Sequence, residues 1–179
     1  MASIAMGLSV HVEKLWAAVG SAGILSIALI YRIGVEPLSL GMSSRAFRLA
    51  LVIAFIQLVV SNVWIETLVM FNVELEPQQL LLEERSLALI LYVTVAAPFF
   101  EEFLFRGFLL PSLLEELSIK MAILCNGIAF GLMHWSSLQA VPPLICFGVM
   151  LSYLRWREGS TSSCIVAHVI NNAAVLMLL

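Results

Sequence analysis

Long apolar runs separated by short polar breaks dominate the chain. Scanned for stretches near the ~20 residues that cross ~30 Å of hydrocarbon at 1.5 Å per residue, it offers six runs: Leu15 to Tyr31, Phe47 to Phe71, Ser86 to Phe105, Ile119 to Leu138, Val141 to Leu154 and Ser163 to Leu179. The fifth is short and opens on Pro142-Pro143, which predicts a tilted or partly re-entrant segment. Between the third and fourth runs, Leu109, Leu110, Leu113, Leu114 and Leu117 recur at helical spacing while Glu115 and Glu116 face elsewhere. That pattern predicts a short amphipathic interfacial helix over Gly107 to Ser118. The expected fold class is therefore all-α, a polytopic transmembrane helix bundle of about six spans plus the interfacial helix. With no repeat and no linker, residues 1–179 read as a single integral membrane domain.

Composition agrees with the pattern. Hydrophobic residues make up 61% and charged residues 12% of the chain, and the mean hydropathy is +1.03, outside the range of water-soluble domains. A net charge of -3 without any polybasic stretch gives no footprint for nucleic acid or acidic lipid head groups. Cys125, Cys146 and Cys164 show no C-x-x-C spacing and read as buried, unpaired thiols. If the runs alternate in direction, the loops after the first, third and fifth carry Arg32, Arg45, Arg48, Arg106, Lys120, Arg155 and Arg157. The other face has Lys14 and Arg85. The positive-inside tendency then places the richer loops in the cytoplasm and both termini outside it. The expected location is a cell membrane, that of a prokaryote.

Against this apolar background the polar side chains inside the runs carry the information, because an ionisable group in hydrocarbon is costly and is read as functional by default. Glu101, His134, His168 and Asn172 are such groups. Residues four apart stack on one helix face, so Glu102 and Arg106 should pair, with the acid on the favourable N-terminal side. Glu101 then points elsewhere without a cation from its own helix, near a kink expected at Pro98. A desolvated carboxylate of that kind suits a general base. Phe130 and His134 share one helix face, and His168 and Asn172 share another. His134 is placed to hold a water against Glu101, and His168 with Asn172 to donate to a developing oxyanion. In the second run, Gln57, Asn62 and Glu66 read as a polar seam between helices, and His11 as a solvated residue outside the runs.

The phrases Pro98-Phe99-Phe100-Glu101-Glu102-Phe103-Leu104-Phe105-Arg106-Gly107, Phe130-x-x-x-His134 and His168-x-x-x-Asn172 resemble, in this order, the signature motifs of the CAAX protease and bacteriocin-processing (CPBP, Abi-type) family of intramembrane proteases. The likeness covers about residues 86–179, the expected catalytic core. It implies a multi-span endopeptidase acting on a membrane-associated peptide or protein. Glu101 is then the base that activates water, His134 its partner, and His168 with Asn172 the oxyanion donors. Glu102 and Arg106 stand at supporting positions of the signature.

Metal-free glutamate chemistry is the favoured reading, with no cofactor. A zinc-dependent version would draw its ligands from Glu101, His134 and His168, although H-E-x-x-H is absent. The alternative outside enzymology is a non-proteolytic membrane adaptor or immunity-type protein, which has no need of all four polar groups at once.

Overall fold

The computed structural model describes residues 41–75, 87–135 and 137–178. The expected first span, Leu15 to Tyr31, lies outside the described residues, as do His11, Lys14, Arg32 and Arg85. Among the described residues five helices form the fold: α1 (Ser44–Met70), α2 (Leu87–Glu116), α3 (Ile119–Leu132), α4 (Val141–Glu158) and α5 (Thr161–Leu178). All are helical, as expected. Three of them, α1, α2 and α5, are long and apolar enough to cross a membrane. Among the described residues there are three such candidates, not six. The fourth run yields only the 14 residues of α3. The fifth gives α4, whose last turn carries Arg155, Arg157 and Glu158. Pro142 and Pro143 begin α4 rather than break it, since a first-turn proline forfeits no helical hydrogen bond.

Successive helices alternate in direction. Gly127 and Gly131 of α3 face Val149 and Ile145 of α4, Arg45 of α1 pairs with Glu158 of α4 at 3.3 Å, and Val93 and Glu102 of α2 meet Asn172 and His168 of α5. Arg45, Arg155 and Arg157 thus share one end of the bundle, as alternation of the runs requires. The turn from α4 to α5 is short because Gly159 takes the left-handed conformation (φ 67°), open to glycine without strain. Ser160 follows as an N-cap, its hydroxyl accepting the Ser163 N–H at 3.2 Å; this starts α5 at Thr161, ahead of the expected Ser163.

α1 turns small residues inward and large ones outward. Ala46, Ala50 and Ala54 are buried, whereas Phe47, Leu51, Phe55, Val59 and Val63, each four apart, are exposed. Lipid rather than water is the solvent for such a face. The expected polar seam on α1 reduces to Gln57, which is buried and donates to the Pro143 carbonyl at 3.1 Å. Asn62 and Glu66 are exposed, and Asn62 bonds the Leu58 carbonyl of its own helix. Of the cysteines only Cys164 is buried; Cys125 is half-buried and Cys146 exposed.

The largest departure is at α2. The amphipathic segment expected as a separate interfacial helix is the last part of α2, continuous through Glu116. Two π-helical turns, Tyr92–Ala96 and Phe103–Leu109, interrupt the α-helical ladder, and a proline, Pro98 or Pro111, stands two residues past each. A proline ring clashes with the carbonyl four residues back and offers no N–H. The wider π turn removes that clash, so the helix runs on where the prolines and Gly107 suggested a break. Leu110, Leu113 and Leu114 then pack against Ala122 and Ile123 of α3.

Candidate active site

Glu101 and Glu102 close the α-helical stretch Ala97–Glu102 that lies between the two π turns. Glu102 is fully buried. Its Oε1 accepts from Arg106 Nη1 and from His168 Nδ1, both at 2.9 Å, and the Arg106 side chain is as deeply buried as its partner. The expected i,i+4 ion pair is present, with a third member that helix periodicity could not supply because His168 comes from α5. Glu101 keeps 27% of its side chain exposed, and its Oε2 stands 3.8 Å from His168 Nε2. His168 thus lies between two adjacent carboxylates, hydrogen-bonded to the sealed one and turned toward the open one.

Arg106 is held from three sides. Nη2 donates to the Gly148 carbonyl of α4 at 2.9 Å, and the guanidinium carbon lies 4.6 Å from the Phe130 ring centroid. That distance suits a cation–π contact between two fully buried side chains. Phe130, fully buried, is also the common neighbour of the two histidines, with ring centroids 5.4 Å from His134 and 5.7 Å from His168. Phe147 closes the far side of His168 at 5.2 Å.

His134 sits just past the end of α3, in a turn, rather than inside a spanning helix as expected. Its Nδ1 contacts the Phe130 carbonyl at 3.1 Å, one of the carbonyls a helix C-terminus leaves without a partner. A carbonyl only accepts, so this contact assigns the proton to Nδ1 and leaves the Nε2 lone pair free. The continuation of α2 past Phe105 brings Glu101 and His134 nearer to one level. Asn126 of α3 donates to the Phe105 carbonyl of α2 at 3.0 Å, so these two positions stand side by side. From there His134 is eight residues, ~12 Å, down α3, and Glu101 is four residues, ~6 Å, back along α2. Full-length spans turning at the expected Phe105 would have separated the two further.

Asn172 lies one turn beyond His168. Its Nδ2 donates to the Val93 carbonyl in the first π turn at 3.0 Å, and its Oδ1 accepts from Asn171 at 3.2 Å. The site therefore unites Glu101, Glu102, Arg106 and His168 directly, reaches His134 through Phe130, and ties Asn172 to the backbone of α2.

Motif reading missed Asn126, Ser152 and Gly148. Ser152 Oγ lies 2.8 Å from Asn126 Oδ1 and 2.6 Å from the Gly148 carbonyl, which links these residues to Arg106. One signal was available. Gly127-x-x-x-Gly131 spells the small-residue pattern of closely packed membrane helices, and it marks the face of α3 that meets α4.

The donor set was tested against zinc. Among the described residues no three His, Cys, Asp or Glu side chains are grouped to hold a metal ion. The trio Glu101, His134 and His168 is not gathered into a three-ligand site.

Residues 83–174, a little more than half the chain, match the family model described as Rce1-like, type II CAAX prenyl endopeptidase. The chain belongs to this family. It is a CAAX-type peptidase, and its apolar spanning helices accord with an integral membrane family. The matched stretch holds every motif residue of α2, α3 and α5 and leaves α1 outside. No curated protein and no solved structure matches the chain.

Proposed function

We propose that this peptidase hydrolyses a peptide bond in a membrane-associated peptide or protein, a prenylated CAAX sequence being the first substrate to test, by direct attack of a water that Glu101 deprotonates. The observation that carries the reading is the division between the two carboxylates. Glu102 is sealed and neutralised by Arg106, while Glu101 is open on one side and faces His168. An accessible base beside a fixed, charged scaffold is the arrangement that general-base hydrolysis needs.

In the attack, Glu101 takes one water proton and the Nε2 lone pair of His134 accepts the other hydrogen bond of that water, fixing its direction. His168, as imidazolium, gives one N–H to Glu102 and the other to the developing oxyanion. Two carboxylates, one guanidinium and one imidazolium then balance, so the site carries no net buried charge. Collapse of the tetrahedral intermediate returns the proton from Glu101 to the leaving amine. No bond to the protein forms.

Glutamine has the size of glutamate but is no useful proton acceptor. Glu101→Gln should lower cleavage of a fluorogenic farnesylated CAAX peptide by about 10²- to 10⁴-fold, with the detergent-solubilised protein monodisperse and still binding the peptide. Turnover that survives the substitution would remove Glu101 from the chemistry. Prolonged chelation leaves activity intact on this reading; loss on chelation and recovery on adding zinc alone would replace it with a metal mechanism.

A further inference from the structure

The first π turn leaves one backbone carbonyl without a helical donor. The α-helical partner of the Val93 carbonyl is the Ala97 N–H, but that N–H bonds Tyr92 instead. Its π-helical partner is residue 98, a proline, which has no N–H. An unsatisfied carbonyl away from water is costly, and the Asn172 amide donates to this one at 3.0 Å. The amide orientation is fixed twice over, because a carbonyl requires the NH₂ group and Asn171 donates to Asn172 Oδ1.

We infer that Asn172 is a positioning residue, which holds the Val93 carbonyl that Pro98 orphans and so sets the segment bearing Glu101. His168 and Asn172, four residues apart on α5, grip α2 on either side of Pro98, at Glu102 and at Val93. Between the two grips lies Ala97–Glu102, whose rotation decides where the Glu101 carboxylate points. Without the amide, the Val93 carbonyl has no donor, because an α turn that recruited the Ala97 N–H would set the Pro98 ring against the carbonyl four residues back. The segment is then free to shift against the His168–Glu102 contact. Asn172 thereby acts through backbone geometry, not as the oxyanion donor its motif position suggested.

Size of effect alone does not separate the two roles. Misplacing a reacting group by ~1 Å and deleting an oxyanion donor each cost about 10²-fold in kcat. Pro98→Ala does separate them, because it supplies a backbone N–H for Val93 and does nothing for an oxyanion. In the natural background Asn172→Ala should lower kcat by about 10²-fold with KM little changed. In the Pro98→Ala background, which also relieves the helix of its proline, the same substitution should cost less than ~3-fold.

This arm rests on the proposed hydrolysis, so a second readout is independent of turnover. In the natural background Asn172→Ala should lower the melting temperature by about 2 to 4 °C, and in the Pro98→Ala background it should leave it unchanged. A natural protein that cleaves no CAAX peptide yet shows this thermal coupling removes the prenylated CAAX sequence as substrate and leaves the positioning role standing. A ~10²-fold loss of kcat in both backgrounds, an equal thermal cost in both, or a double variant that fails to fold where Pro98→Ala folds, each overturns the inference.

Discussion

The α3–α4 and α2–α5 interfaces solve the same problem by opposite means. Lipid gives helices no hydrophobic reason to associate, so contact must come from close approach or from polar bonds. Between α3 and α4 glycine permits the approach: a Cβ on Gly127 would lie 2.7 Å from the Val149 nitrogen, and one on Gly148 would lie 2.8 Å from the Gly127 carbonyl oxygen. Between α2 and α5 the bonds are polar, from His168 to Glu102 and from Asn172 to Val93, and the α2 partner is twice interrupted by π turns. The first interface is a close backbone contact to which Ser152 and Asn126 add one side-chain hydrogen bond. The second uses polar groups that are costly in lipid, and it leans on the first, since Arg106 is anchored to Gly148.

The sharpest way to break the comparison is to remove a charge. Glu102→Ala leaves the fully buried Arg106 without its carboxylate, and Arg106→Ala leaves Glu102 with His168 alone, each at a cost of about 3 to 5 kcal/mol. Folded yield and melting temperature should both fall. The double variant should recover part of the loss, because two missing charges are cheaper than one stranded one. Single variants as stable as the natural protein but inactive would place the pair in the chemistry and leave the α2–α5 contact held by something else.

Sequence patterns reached the α2–α5 side further than its partner. Glu102 and Arg106 are four apart on one helix, so their pairing follows from periodicity, and the placement of polar groups within apolar runs singled out Glu101, His168 and Asn172. The contact between His168 and Glu102 joins residues 66 positions apart and has no local signal. Helix ends were harder. Pro98, Gly107 and Pro111 look like breaks, but π turns carry α2 past them, so the expected interfacial helix became the end of a longer one. His134 was expected within a span because Met133, Trp135 and Leu138 prolong the apolar run; the chain instead turns there, and the imidazole bonds the terminal carbonyl.

The glycine interface can be probed with one methyl group at a time. Overpacking of a filled contact costs about 1 to 3 kcal/mol, and here the added carbon meets backbone, which cannot swing aside. Gly127→Ala and Gly131→Ala should therefore lower thermal stability by that amount while kcat per folded molecule stays close to natural. Gly148→Ala should lower both stability and kcat, since its Cβ would also lie 3.0 Å from Phe130 Cβ, and Phe130 touches both histidines. Equal kcat losses at all three positions would mean that scaffold and site are not separable.

The finest test falls on Ser152, where the two interfaces meet. Its hydroxyl has one proton and two acceptors within reach, Asn126 Oδ1 and the Gly148 carbonyl, and Gly148 already receives Arg106. Ser152→Ala consequently strands only the Asn126 oxygen; Asn126 can still donate to Phe105. Polar contacts between membrane helices are worth about 0.6 to 1.7 kcal/mol, so the melting temperature should drop by about 2 to 4 °C. Because Arg106 and Glu102 keep their own bonds, kcat should change by less than ~3-fold. A ~10-fold fall in kcat at that small thermal cost would show that the hydroxyl transmits the setting of α3 and α4 to the carboxylates, and the two interfaces would then have to be treated as one hydrogen-bonded unit.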